Sequence, residues 1–60
     1  MKPIRKVIKE FLTDNPNSSG ADVVAACEAE GYKDTRAHAV LDRLERRGVI
    51  EKTGEDYSIA

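Results

Sequence analysis

Little in this 60-residue sequence is equipped for covalent chemistry. It has one cysteine, one histidine, no tryptophan and only 5% aromatic residues. Cys27 alone cannot form an internal disulfide, on which small secreted domains usually rely, so an intracellular, cytoplasmic home is expected. His38 has no second histidine beside it, and a cysteine in another segment provides no metal-ligand spacing. There is no Gly-rich phosphate loop, no nucleophile with a paired base and no carboxylate pair framed by a pocket. The reading is therefore of a protein with no catalytic residues, no cofactor and no metal: not an enzyme. No apolar run approaches the ~20 residues of a membrane span. The basic start, Met1-Lys2-Pro3-Ile4-Arg5-Lys6, lacks the apolar stretch that would make it a signal peptide. No membrane role is expected.

What is present is a small soluble-domain composition, 40% hydrophobic and 35% charged. A chain this short is one domain, 1–60, burying only ~60% of the surface its unfolded form exposes. The net charge of −1 conceals an uneven distribution. Residues 1–13 carry +3, 14–31 carry −4, 32–48 carry +2 and 49–60 carry −2. Local basic zones on a near-neutral body are what steers an anionic partner.

Hydrophobic spacing predicts three helices. The first runs over about 3–13, with Pro3 at the first helical position and Ile4, Val7, Ile8, Phe11 and Leu12 on one stripe. Lys2, Arg5, Lys6 and Lys9 share its opposite face. Pro16 disfavours helical angles at Asn15 and ends it. The second runs over about 19–30, opened by a short capping box from Ser19 to Asp22, with Val23, Val24 and Cys27 inward and Gly31 as a left-handed stop. The third runs over about 34–47, capped by Asp34 or Thr35, with Ala37, Val40, Leu41 and Leu44 buried and Gly48 as its end. Two strands, about 49–52 and 57–60, then pair as a hairpin. Opposing Lys52 to Tyr57 sets Ile50 against Ile59, so the register agrees with the apolar pattern. Ile50, Tyr57 and Ile59 would cover the core. The expected fold is α+β and mostly α: a three-helix winged helix-turn-helix with a short C-terminal two-stranded wing.

At 100° per residue the third helix divides into sectors. Thr35, Ala39, Asp42 and Arg46 point outward, Arg36, Arg43 and Arg47 form one flank, and Asp34, His38 and Glu45 form the other. The second helix of such a motif can enter the major groove of DNA, where Arg grips guanine and Thr and His reach bases or phosphates. The candidate DNA contacts are Lys33, Thr35, Arg36, His38 and Arg43, with Arg46 or Arg47 on phosphate and Lys52 and Thr53 in the wing. Against this stand the i, i+4 pairing of Asp42 with Arg46 and the acidic wing residues Glu55 and Asp56. A second use therefore stays open, protein–protein interaction through Lys2, Arg5, Lys6 and Lys9 or through the arginine flank. A third is a small transcriptional regulator, for which no dimerisation element is visible, so a monomer is expected.

The stretch Glu28-Ala29-Glu30-Gly31-Tyr32, Asp34-Thr35-Arg36-Ala37 and Leu41-Asp42-Arg43-Leu44-Glu45-Arg46-Arg47-Gly48-Val49-Ile50-Glu51 resembles a winged-helix domain. It is similar to the C-terminal module of archaeal minichromosome maintenance (MCM) replicative helicases. The shared features are a helix ending in an acidic-Gly turn, a Leu-x-x-Leu-x-x-x-Gly helix and a strand opening on a β-branched residue. The hairpin departs from that family, with Lys52-Thr53-Gly54-Glu55-Asp56-Tyr57 where a Pro-x-Pro-Gly turn is common. The resemblance implies a non-catalytic regulatory appendage of an ATP-dependent helicase, nucleoid-associated where it binds DNA. Double-stranded DNA or other subunits of a replication or transcription complex would be its partners.

Overall fold

The computed structural model describes residues 2–60. Its elements in chain order are α1 (Ile4–Asp14), β1 (Ser18–Ser19), α2 (Gly20–Ala29), α3 (Asp34–Arg46), β2 (Ile50–Thr53) and β3 (Asp56–Ile59). The class is α+β, mostly α, with a C-terminal hairpin. The three expected helices and the expected C-terminal hairpin, β2–β3, follow one another in that order, with β1 added between the first two helices.

One core holds it together. Ile4, Val7, Ile8 and Leu12 of α1, Val23, Val24 and Cys27 of α2, and Ala37, Val40, Leu41 and Leu44 of α3 are buried with Ile50 of β2. These are the stripes expected from the spacing, except that Phe11 is only half-buried at the margin. Each fully buried aliphatic side chain stabilises by about 1.5–3 kcal/mol. A domain of this length has a total stability of only ~3–9 kcal/mol, so every member of the stripe matters.

Helix boundaries follow from backbone chemistry. Pro3 lies just outside α1 as its N-cap, at φ −57° and ψ 142°, rather than inside the first turn; its carbonyl accepts from the N–H groups of Lys6 and Val7. Ser19 caps α2, its hydroxyl accepting from the N–H of Asp22 at 3.2 Å, one half of a capping box. At α3 the expected cap is corrected. Lys33 holds the N-cap position with no side-chain hydrogen bond, while the Asp34 carboxylate lies within the first turn and accepts from the N–H of Thr35 at 2.8 Å.

Gly31 and Gly48 end α2 and α3 in the same way. Gly31 N–H donates to Glu28 O and Tyr32 N–H to Cys27 O; Gly48 N–H donates to Glu45 O and Val49 N–H to Leu44 O. Both are Schellman closures, and both glycines have positive φ, 96° and 76°. Glu30 and Arg47, expected as helical, are the C-cap residues before these turns.

The sheet has three strands rather than two. Its order is β1-β3-β2, fully antiparallel, so the short β1 makes β3 the central strand. The hairpin register is as expected, Ile50 opposite Ile59 and Lys52 opposite Tyr57, and pairing reaches Thr53 and Asp56. Only Gly54 and Glu55 remain in the turn. Gly54 has φ 62° and Glu55 is not in the positive region, the pattern of a type II′ turn. Val49 and Ala60 fall outside the strands, although Ala60 N–H still donates to Val49 O at 3.2 Å. Tyr57 packs half-buried against the core, but Ile59 stays 38% exposed at the strand's end and is not the cover it was expected to be.

Strand β1 exists because of the turn before it. Asn17 takes φ 60°, which Asn tolerates better than most residues. Its N–H donates to Ser58 Oγ at 3.0 Å, and its Oδ1 accepts from the same hydroxyl at 2.9 Å. This two-point clasp ties the α1–α2 connection to the central strand.

A Cβ at Gly48 would meet nothing within 4 Å, so a side chain there costs only backbone strain. Gly48→Ala is expected to destabilise by about 1–2 kcal/mol in urea denaturation, and Gly48→Asn by less. An unchanged midpoint for the alanine variant would contradict the left-handed closure.

Candidate nucleic-acid interface

Because α3 buries Ala37, Val40, Leu41 and Leu44, its remaining surface faces solvent on three sides. Lys33, Thr35, Arg36, His38, Arg43, Arg46 and Arg47 are all exposed. The two flanks separate as their angular positions require, and each borders a different groove.

The first groove, about 230 Å³, lies between the start of α1 and α3. Arg36 and Arg43 line it from α3 and Arg47 from its C-cap, and Arg5 joins them from α1. Arg5 also keeps the expected company of Lys6 and Lys9, with which it lines another surface groove along α1 beside Glu10 and Asp14. A helical wheel orders residues within one helix but does not reveal how α1 crosses α3, and that crossing recruits Arg5. Among the described residues, none of the four guanidinium groups is in an ion pair.

The second groove, about 580 Å³, lies between the start of α2, α3 and the wing. His38 and Lys52 line it together with the carboxylates of Glu28, Asp34 and Glu55. Lys52 is further engaged, with its ammonium 5.7 Å from the centroid of the Tyr57 ring. Thr53 faces Asp56 across the ladder. The wing side is therefore the acidic side of α3, and the expected contact set does not form one surface. Arg36, Arg43 and Arg47 come together, whereas His38, Lys52 and Thr53 lie towards the wing.

Three of the other cations are already partnered. Arg46 Nη2 is 3.0 Å from Asp42 Oδ2, as its spacing suggested. Lys2 Nζ is 2.8 Å from Glu10 Oε1, and Lys6 Nζ is 4.0 Å from Glu10 Oε2. The Lys2 hydrogen bond holds the Glu10 carboxyl below its ordinary range, and the same bond raises Lys2. Both groups are exposed, so the effect on stability is small. Its sign is clear: the Glu10 contribution is present above the usual carboxylate range and fades as pH falls through the lowered value. Lys9 has no ion-pair partner among the described residues. The Tyr32 hydroxyl donates to the Lys2 carbonyl, tying the α2–α3 turn to the start of α1 beside the arginine groove.

Cys27 is fully buried, and burial, helped by the nearby Glu28 charge, pushes its thiol above the usual range. It serves as a small core residue. No helix among the described residues is long and apolar enough to cross a membrane.

No family model, no curated protein and no solved structure matches the chain.

Cys27 provides a direct probe of the packing around the site. Its labelling by iodoacetamide is expected to be slow in the native protein near neutral pH and fast in about 6 M urea. Equal rates in the two conditions would place the thiol at the surface.

Proposed function

We propose that the chain is a non-catalytic winged-helix module that docks on duplex DNA, within a replication or transcription assembly. The observation that carries this reading is the run of Arg36, Arg43 and Arg47 along one exposed flank of α3, without acidic partners among the described residues. Arg is well suited to the task, because its planar fork meets phosphate or guanine with two parallel hydrogen bonds. The helix that carries them is fixed at both ends, by the turn around Gly31 and the turn around Gly48, so the charges keep a set spacing. Resemblance to the C-terminal module of MCM helicases supports an appendage of a replicative helicase as the setting.

A second reading is favoured by a separate observation. Glu28, Asp34 and Glu55 around the wing groove would be repelled by a phosphate backbone. They suit a protein partner instead, and a protein-interaction module without DNA binding follows from them. Chemical-shift mapping separates the two. Duplex DNA should perturb the α3 amides in the first case and none in the second.

Titration with duplex DNA at rising salt tests the proposal. Contact with four to six phosphates predicts a log–log slope of roughly −4 to −5. Arg36→Ala and Arg43→Ala should each weaken binding and flatten that slope by about 1. Absence of binding at low salt would reject the DNA reading.

A further inference from the structure

The arginines on α3 do not stand alone, and the residue that completes them comes from α1. Arg5, Arg36, Arg43 and Arg47 line one groove, and none has an ion-pair partner among the described residues. Every other arginine or lysine of α1 and α3 is paired, as Lys2, Lys6 and Arg46 are, or lies outside this groove, as Lys9 does. From Arg36 to Arg47 the row extends for about 16 Å at the ~1.5 Å rise per residue of a helix. A lone phosphate or carboxylate would be gripped by converging guanidinium groups. A row of this length matches an extended polyanion, and one DNA strand carries a phosphate for every ~3.4 Å of axis.

The floor of the groove bears on which polyanion fits. Ile4, Val40 and Leu44 line it, but they are only 5%, 8% and 2% exposed. Their apolar surface is already used inside the domain, so little remains to anchor the hydrophobic side chains of an acidic peptide. Charge is what the groove has to offer. On the opposite flank, Glu28, Asp34 and Glu55 repel a phosphate strand from the wing.

We infer that the phosphate clamp of this module is the α1–α3 groove, with Arg5, Arg36, Arg43 and Arg47 on one DNA strand, and that the wing stands off the duplex. The inference rests on the DNA-docking reading and refines it. It reverses the arrangement in which hairpin cations reach the backbone, and it gives α1 a direct share in binding. Arg5 acts through its charge and its fork, so lysine in its place retains the charge but loses the bidentate grip.

Fluorescence anisotropy with a labelled duplex of about 20 base pairs, at salt from about 50 to 200 mM, provides the test. The 60-residue chain is compared with Arg5→Gln, Arg5→Lys, Arg47→Gln, Arg36→Gln and Lys52→Gln. All four positions are exposed side chains, and circular dichroism checks that each variant is folded. Arg5→Gln and Arg47→Gln should each weaken binding roughly 3- to 10-fold and flatten the salt slope by about 1. Arg5→Lys should recover most of the slope, and Lys52→Gln should change affinity less than about 2-fold. If Arg36→Gln weakens binding while Arg5→Gln does not, the shared clamp is wrong and the DNA reading survives. Equal losses for Lys52→Gln and Arg5→Gln would place the wing on the duplex and overturn the inference. Displacement of the duplex by oligoglutamate of equal charge at equal concentration would assign the groove to an acidic protein and overturn it too. No duplex binding by the unmodified chain at the lowest salt would remove both the clamp and the DNA reading.

Discussion

The whole arrangement depends on burying one narrow stripe of α3. Through Ala37, Val40, Leu41 and Leu44 that helix joins α1, α2 and Ile50 in a single core. Once they are inside, rotation of α3 about its axis is no longer free. Arg36, Arg43 and Arg47 must then emerge towards α1, and Asp34 and His38 towards the wing. In so small a domain the same few side chains supply the stability and aim the charges. Packing and electrostatics are here two consequences of one constraint.

The backbone closures give that constraint its precision. Gly31 lets the chain leave α2 and enter α3 within four residues, and Gly48 lets it leave α3 and begin the hairpin within three. The Tyr32 hydroxyl on the Lys2 carbonyl and the Asn17–Ser58 clasp add two long-range ties, one at each side of α1. The first lies next to the arginine groove. Holding the start of α1 there is what keeps Arg5 within reach of the arginines of α3.

Much of this was legible in the residues. Apolar spacing identified the three helices, and the two Gly stops and the Ile50–Ile59 register fell where periodicity put them. The division of α3 into a basic and an acidic flank was also readable, because it depends only on 100° per residue. Strand β1 was not readable, since Ser18-Ser19 has no strand pattern and pairs only because Asn17 turns the chain towards Ser58. The α3 cap was misplaced because Asp34 can serve from within the first turn as well as from before it. That Arg5 also meets the arginines of α3 was not readable, because it depends on an interhelical crossing that no local pattern encodes.

The two faces of α3 oppose each other electrically, and the proposed docking mode follows from that opposition rather than from total charge. The most direct measurement follows the arginine Nε–Hε resonances of the 15N-labelled protein during titration with a short duplex. The account predicts that the side-chain signals of Arg5, Arg36, Arg43 and Arg47 shift together while the backbone amides of Lys52 to Asp56 stay in place. Shifts concentrated in those hairpin amides, with the Arg5 signal unmoved, would contradict it.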